Sequence, residues 1–134
     1  MNPIAVEYRP EHFKEICPPQ LIEYAELQAL RTEAISYLVD GEIAVCGGLH
    51  VLWPGTAECW VLFSPKFIHS HRVVMVVKNQ LREWIEKDDL QRVQAIAANA
   101  VERRFLEWLG MEYEGTMRKF GPDGVTKSLY AWVK

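Results

Sequence analysis

The sequence predicts an α+β fold in which a central mixed sheet, mostly antiparallel and of about six or seven strands, is flanked by helices on both faces. Three observations carry this. The apolar periodicity changes along the chain in the order β-α-α-β-β-β-α-β-α-β-β. The inner strands of the central meander are apolar on both sides, so the sheet must be covered on both. The chain has 134 residues, a length suited to one domain that can bury roughly two-thirds of its unfolded surface without disulfides or metal.

Ile4 to Tyr8 is a short apolar stretch closed by Arg9-Pro10, which suits a first strand. Pro10 stands where a helix can begin, because its missing N–H is not needed in the first turn. That helix runs to Cys17 and stops at Pro18-Pro19. Leu21, Tyr24, Ala25, Leu27 and Gln28 fit a second helix from Gln20 to about Arg31. Ala34 to Val39, Ile43 to Trp53 and Ala57 to Ser64 form the meander, with tight turns at Asp40-Gly41 and Pro54-Gly55. Val45, Leu49, Trp60 and Leu62 are expected on one face, and Cys46, Val61 and Phe63 on the other.

From His69 to Lys87, Val73, Val77, Leu81, Trp84 and Ile85 lie on one helical stripe. Val73 to Val77 alone would suit a strand, and the longer spacing favours helix. Leu90 to Ala97 is a short strand. Ala100 to Leu109 is the clearest helix: Asn99 is a good N-cap, Val101, Phe105, Trp108 and Leu109 form its apolar side, and Gly110 suits the C′ position. Met111 to Phe120 and Val125 to Val133 are strands about the turn Gly121-Pro122-Asp123-Gly124.

Composition excludes several classes. The chain is 49% apolar and 25% charged, that of a folded protein rather than a disordered one. No apolar run reaches the ~18 residues of a membrane span. Met1-Asn2-Pro3-Ile4 has no secretory pattern, so an intracellular location is expected. A net charge of -3 argues against nucleic acid as the main partner. Cys17, Cys46 and Cys59 have no motif spacing and suit reduced thiols.

The strand order, together with Asn99 and the run Arg104-Phe105-Leu106-Glu107-Trp108-Leu109-Gly110-Met111, resembles the GNAT superfamily of acetyl-CoA-dependent N-acetyltransferases. Asn99, Phe105, Leu109 and Gly110 match its helix motif without a gap. A narrower resemblance lies in Glu58-Cys59-Trp60-Val61 and in Arg104 to Gly110, which are similar to small GNAT-like phage proteins related to the internal virion proteins of T7-like podophages. That resemblance implies a host-cell cytoplasmic location, with incorporation in the virion, and partners that are other virion proteins or a second copy of the chain.

The superfamily resemblance implies a cofactor pyrophosphate at the start of the helix after the central strand, cradled by a loop with two glycine positions. Backbone N–H groups must approach phosphate closely there. Here the segment is Ile68-His69-Ser70-His71-Arg72-Val73, and the glycine positions fall on about His71 and Val73. None of the chain's eight glycines lies between Gly55 and Gly110. The resemblance then implies Val61, Phe63, Ser70, His71, Arg72 and Asn99 as cofactor-binding residues; the helix start itself remains, and Lys66, Ser70 and Arg72 are suitable polar neighbours there for an anion. It implies Glu58, the only acidic residue of the central strand, as general base. Leu106 stands where many members carry a proton-donating tyrosine, and leucine cannot donate a proton. These departures favour a degenerate acyltransferase fold, serving as an internal virion or assembly component, with acetyl-CoA a doubtful cofactor. The alternative is an active N-acetyltransferase with a non-standard pyrophosphate loop.

Other signals are weaker. His69 and His71 lack further ligands for a metal, and no metal site is expected. His50 and Cys59 would face each other if the Pro54-Gly55 turn set that register, as a Cys–His nucleophile requires. Trp60, Trp84 and Trp108 suit the core, whereas Trp53 and Trp132 suit an exposed, protein-binding position.

Overall fold

A computed structural model describes residues 2–19, 22 and 33–134. The helix expected from Gln20 to Arg31 falls, but for Ile22, outside the described residues. The elements are β1 (Ile4–Glu7), α1 (Pro10–Ile16), β2 (Glu33–Val39), β3 (Glu42–Trp53), β4 (Thr56–Phe63), α2 (His71–Lys87), β5 (Arg92–Ala97), α3 (Ala100–Trp108), β6 (Glu112–Met117) and β7 (Lys127–Val133). The strands form one seven-stranded sheet in the order β1-β2-β3-β4-β5-β7-β6. Only β4 and β5 run parallel. The expected α+β architecture is therefore present, with helices on both faces.

Local chemistry accounts for the boundaries. Asp40 and Gly41 both have positive φ, 51° and 78°, the geometry of the two-residue turn that suits twisted hairpins. The Ser70 hydroxyl accepts the Val73 N–H (3.4 Å) and opens α2. At α3, Asn99 Oδ1 accepts the Glu102 N–H (2.9 Å) and Glu102 reaches back to the Ala98 N–H (2.7 Å). Gly110 at φ 97° then ends α3 in the left-handed region.

The pairing of β3 with β4 corrects the expected faces. Val45 pairs with Phe63, Leu49 with Cys59 and Val51 with Ala57; Cys46 pairs with Leu62, Gly48 with Trp60 and His50 with Glu58. Val45 and Leu49 thus share a face with Val61 and Phe63, not with Trp60 and Leu62. A register irregularity between Val51 and Trp53 adds the residue responsible, since a slip of one turns a whole strand over.

Each face has its own core. Leu49, Ala57, Val93, Ala95, Ala97 and Tyr130 pack with Leu81 of α2 and Leu106 of α3. Val39, Ala44, Val45 and Val73 extend that layer towards the start of α2. On the opposite face, Tyr8, between β1 and α1, and Phe13 of α1 meet Trp60 edge to face, with ring centroids at 5.4 and 5.8 Å. The Trp60 indole lies on Gly48, where a Cβ would stand 2.5 Å from Nε1 and 2.7 Å from the Glu33 carbonyl, so glycine is required there. On α3, Leu106 rather than Val101 or Trp108 points inward, and Trp108 is 40% exposed beside Lys78. Trp53 is 60% exposed as expected, whereas Trp132 packs against the core.

Candidate functional site

The site begins where two strands part. β4 and β5 pair only at Thr56–Arg92, Ala57–Val93 and Glu58–Gln94. Beyond that fork the β4 edge from Cys59 to Phe63 has, among the described residues, no strand partner on the β5 side. Backbone N–H and C=O groups on such an edge need partners. A cleft of about 720 Å³ opens along it, walled by Val61, Phe63, Phe105 and the start of α2. Its volume lies in the range of ligand sites. Phe63 and Phe105 meet edge to face at 5.1 Å and join β4 to α3 across one wall.

Glu58 stands at the fork. Its Oε1 accepts a hydrogen bond from Gln94 Nε2 at 3.5 Å. Gln94 Oε1 in turn accepts from Arg92 Nε and Nη2 (3.3 and 3.2 Å), and Arg92 donates to both Glu114 oxygens (2.9 and 2.6 Å). The Arg92 bonds hold the Glu114 carboxyl below its usual range. A row of hydrogen-bonded polar groups therefore runs from Glu114 through Arg92 and Gln94 to the Glu58 carboxylate.

The other expected residues divide into two groups. Val61, Phe63 and His71 line the cleft, as do His69 and Arg104. Ser70, Arg72 and Asn99 do not line it. The Ser70 and Asn99 side chains are helix caps, with Asn99 Nδ2 also donating to Glu102 (3.2 Å). Arg72 Nη1 donates to Asn2 Oδ1 (3.2 Å), and Lys66 is paired with Glu42 at 2.6 Å. Val73, at the second glycine position, is fully buried in the core and does not obstruct the helix start. Only His71 stands there. Leu106 is buried and forms part of the cleft wall.

His50 pairs with Glu58 and not with Cys59, so no Cys–His nucleophile pair forms. Burial, reinforced by the Glu58 charge, pushes the Cys59 thiol up to about 12; it stays protonated and is no nucleophile. Among the described residues no group of three or more His, Cys, Asp or Glu could hold a metal. No described helix is long and apolar enough to cross a membrane. Sequence reasoning missed Arg104 and Gln94 as neighbours of the site. Arg104 lies within the recognised helix motif, but its direction depends on how α3 packs. Gln94 comes to Glu58 only through the parallel register.

Comparison with known proteins bears on the fold. No family model and no curated protein sequence matches the chain. Among solved structures, it superposes on a GNAT-family acetyltransferase from Bacillus anthracis (14% identity, TM-score 0.73, 99% of this chain and 95% of that one). It also superposes on the ribosomal-protein-S18-alanine N-acetyltransferase from Escherichia coli (16%, TM-score 0.76, 98% and 93%). A third is RimL, an acetyltransferase in complex with coenzyme A (15%, TM-score 0.65, 86% and 72%). The chain has the GNAT fold.

Proposed function

We propose that the protein is an acyl-CoA-dependent N-acyltransferase in which Glu58 is the general base. The observation that carries this is the fork. β5 leaves β4 directly after Glu58, and a cleft open to a ligand follows where a purely structural sheet would continue its ladder. The acyl-pantetheine arm of acetyl-CoA, apolar with amides along it, fits an apolar cleft with an unpaired strand edge at Cys59–Phe63. The nucleotide end would lie at the start of α2, where the positive end of the helix and its first-turn backbone attract an anion. His69, His71 and Arg104 supply side-chain donors there, replacing the backbone cradle of a glycine loop. When bound, the acyl-CoA supplies an activated thioester. Glu58, held from one side by Gln94, takes a proton from the attacking amine.

RimL and the ribosomal-protein acetyltransferase are named for protein substrates, which makes a protein amine the first acceptor class to try. Isothermal titration with acetyl-CoA tests the reading: micromolar binding supports it, and no heat at millimolar ligand overturns it.

His71 and Leu106 favour a second reading. The imidazole occupies a position where a side chain crowds phosphate, and the leucine leaves no proton donor on α3. On this reading the fold persists without acyl transfer, as an internal virion or assembly component in the host cytoplasm or the virion. Its partners are other virion proteins or itself. Val73 lessens its support, because that side chain is turned into the core. Binding of acetyl-CoA with a rise in Tm would overturn it.

A further inference from the structure

The row of polar residues on the sheet does not end at Glu58. On its other side, in β3, is His50, whose register partner is Glu58. Directly opposed residues of an antiparallel pair carry their Cβ atoms about 4.5–5.5 Å apart on one face. Both side chains line the cleft. Nδ1 of His50 is buried without a hydrogen-bond partner, which is costly for a polar atom unless something else meets it.

The remaining charged groups nearby are otherwise engaged. Glu33 of β2 is on the opposite face, paired with Lys87. His12 of α1 bonds Ser36 at 2.8 Å. Arg92 of β5 is held by Glu114. Among the described residues, Glu58 is therefore the charged group that faces His50.

We propose that His50 is a second catalytic base in this site, and that the acceptor is a primary amine arriving as its ammonium ion. The inference rests on the acyltransferase reading given above. An ammonium must lose one proton before its nitrogen has a lone pair, and a second after it has attacked. A carboxylate alone is a weak base for the first step, whereas histidine is the side chain whose class titrates nearest neutrality. His50 takes the first proton. The amine nitrogen then bonds to the thioester carbonyl carbon while Glu58 takes the second. The carbon–sulfur bond breaks with its electron pair on sulfur. The thiolate takes the proton from Glu58 to give the free thiol, and the His50 proton passes to solvent. One amide, one thiol and one proton result from each ammonium and thioester.

Release of free thiol from acetyl-CoA, followed between pH 6 and pH 10 with a dipeptide amide and a blocked lysine as acceptors, tests this. His50→Gln is expected to lower kcat about a hundredfold at neutral pH, to change the KM for acetyl-CoA less than twofold, and to recover at high pH, where the amine is already free. An unchanged kcat at neutral pH, or an equal loss at every pH, would overturn the proposal. A second measurement needs no acceptor. In histidine NMR spectra at a single pH, Glu58→Gln is expected to move the His50 ring resonances, because the two residues are cross-strand partners on one face. His50 resonances that do not move would sink the pair. Failure of acetyl-CoA to bind in calorimetry would remove the acyltransferase reading itself, whatever the NMR result.

Discussion

β4 meets its two neighbours differently. Towards β3 it pairs along its whole length, through eight residue pairs from Val45–Phe63 to Trp53–Thr56. Towards β5 it pairs at three and then stops at Glu58. The closed side holds residues with no exposure at all, Leu49 and Ala57 among them. The open side holds half-buried ones, Val61 and Phe63, along a cleft. One strand thus borders the fully buried core on one edge and the open cleft on the other, with Glu58 and its β3 partner His50 at the point where the β5 pairing stops.

Breaking the closed side has the largest expected effect. Leu49→Ala removes a fully buried side chain from the main core and is expected to cost about 2–5 kcal/mol in chemical denaturation. Acetyl-CoA affinity measured well below the melting temperature should stay within a few-fold. At the open side, His71→Gly leaves the core intact. If the imidazole binds phosphate, affinity in calorimetry falls about tenfold, equal to ~1.4 kcal/mol. A rise in affinity would instead mark His71 as an obstruction and favour the non-catalytic reading.

Asn99→Ala separates the two sides again. Its amide caps α3 and does not reach the cleft. The expected loss is about 1 kcal/mol of stability, with acetyl-CoA affinity unchanged; a tenfold affinity loss would return Asn99 to the binding site.

The smallest effect concerns pH. The folded pKa of Glu114 is lowered, so its contribution to stability is present above the ordinary glutamate range and is lost as pH falls through the folded value. Glu114→Gln should therefore flatten the acid limb of a Tm-against-pH curve, the two proteins converging once the pH lies below the folded pKa of Glu114.

Much of the fold was legible in the sequence because the relevant signals are local. Asp40-Gly41, Asn99 and Gly110 each act within a few residues of themselves, and each stands where its chemistry predicts. The stripe from Val73 to Ile85 likewise carried the helix over a run of valines that suits a strand. The faces of β3 and β4 were misjudged because one extra residue near Trp53 is invisible to alternation. On α3, Phe105 and Leu109 pack against the core as expected, whereas Val101 and Trp108 are exposed and Leu106 is buried, because which flank turns inward depends on how the helix packs. Of the candidate site, Glu58, Val61, Phe63 and His71 were legible through the family resemblance and do line the cleft. Ser70, Arg72 and Asn99 were named on the same ground, yet their side chains are taken up by caps and by Asn2.

By itself the sequence determined the order of the described elements, the turn at Asp40-Gly41, the cap at Asn99, and the absence of glycine between Gly55 and Gly110. Those features depend on backbone preference and on neighbours a few positions away. Only the tertiary structure decided where the residues standing in place of those glycines lie. It turned Val73 into the core and left His71 at the cleft, and it placed His50, Glu58 and Gln94 side by side from three strands. Such juxtapositions follow from register, and a shift of one residue would have scattered them.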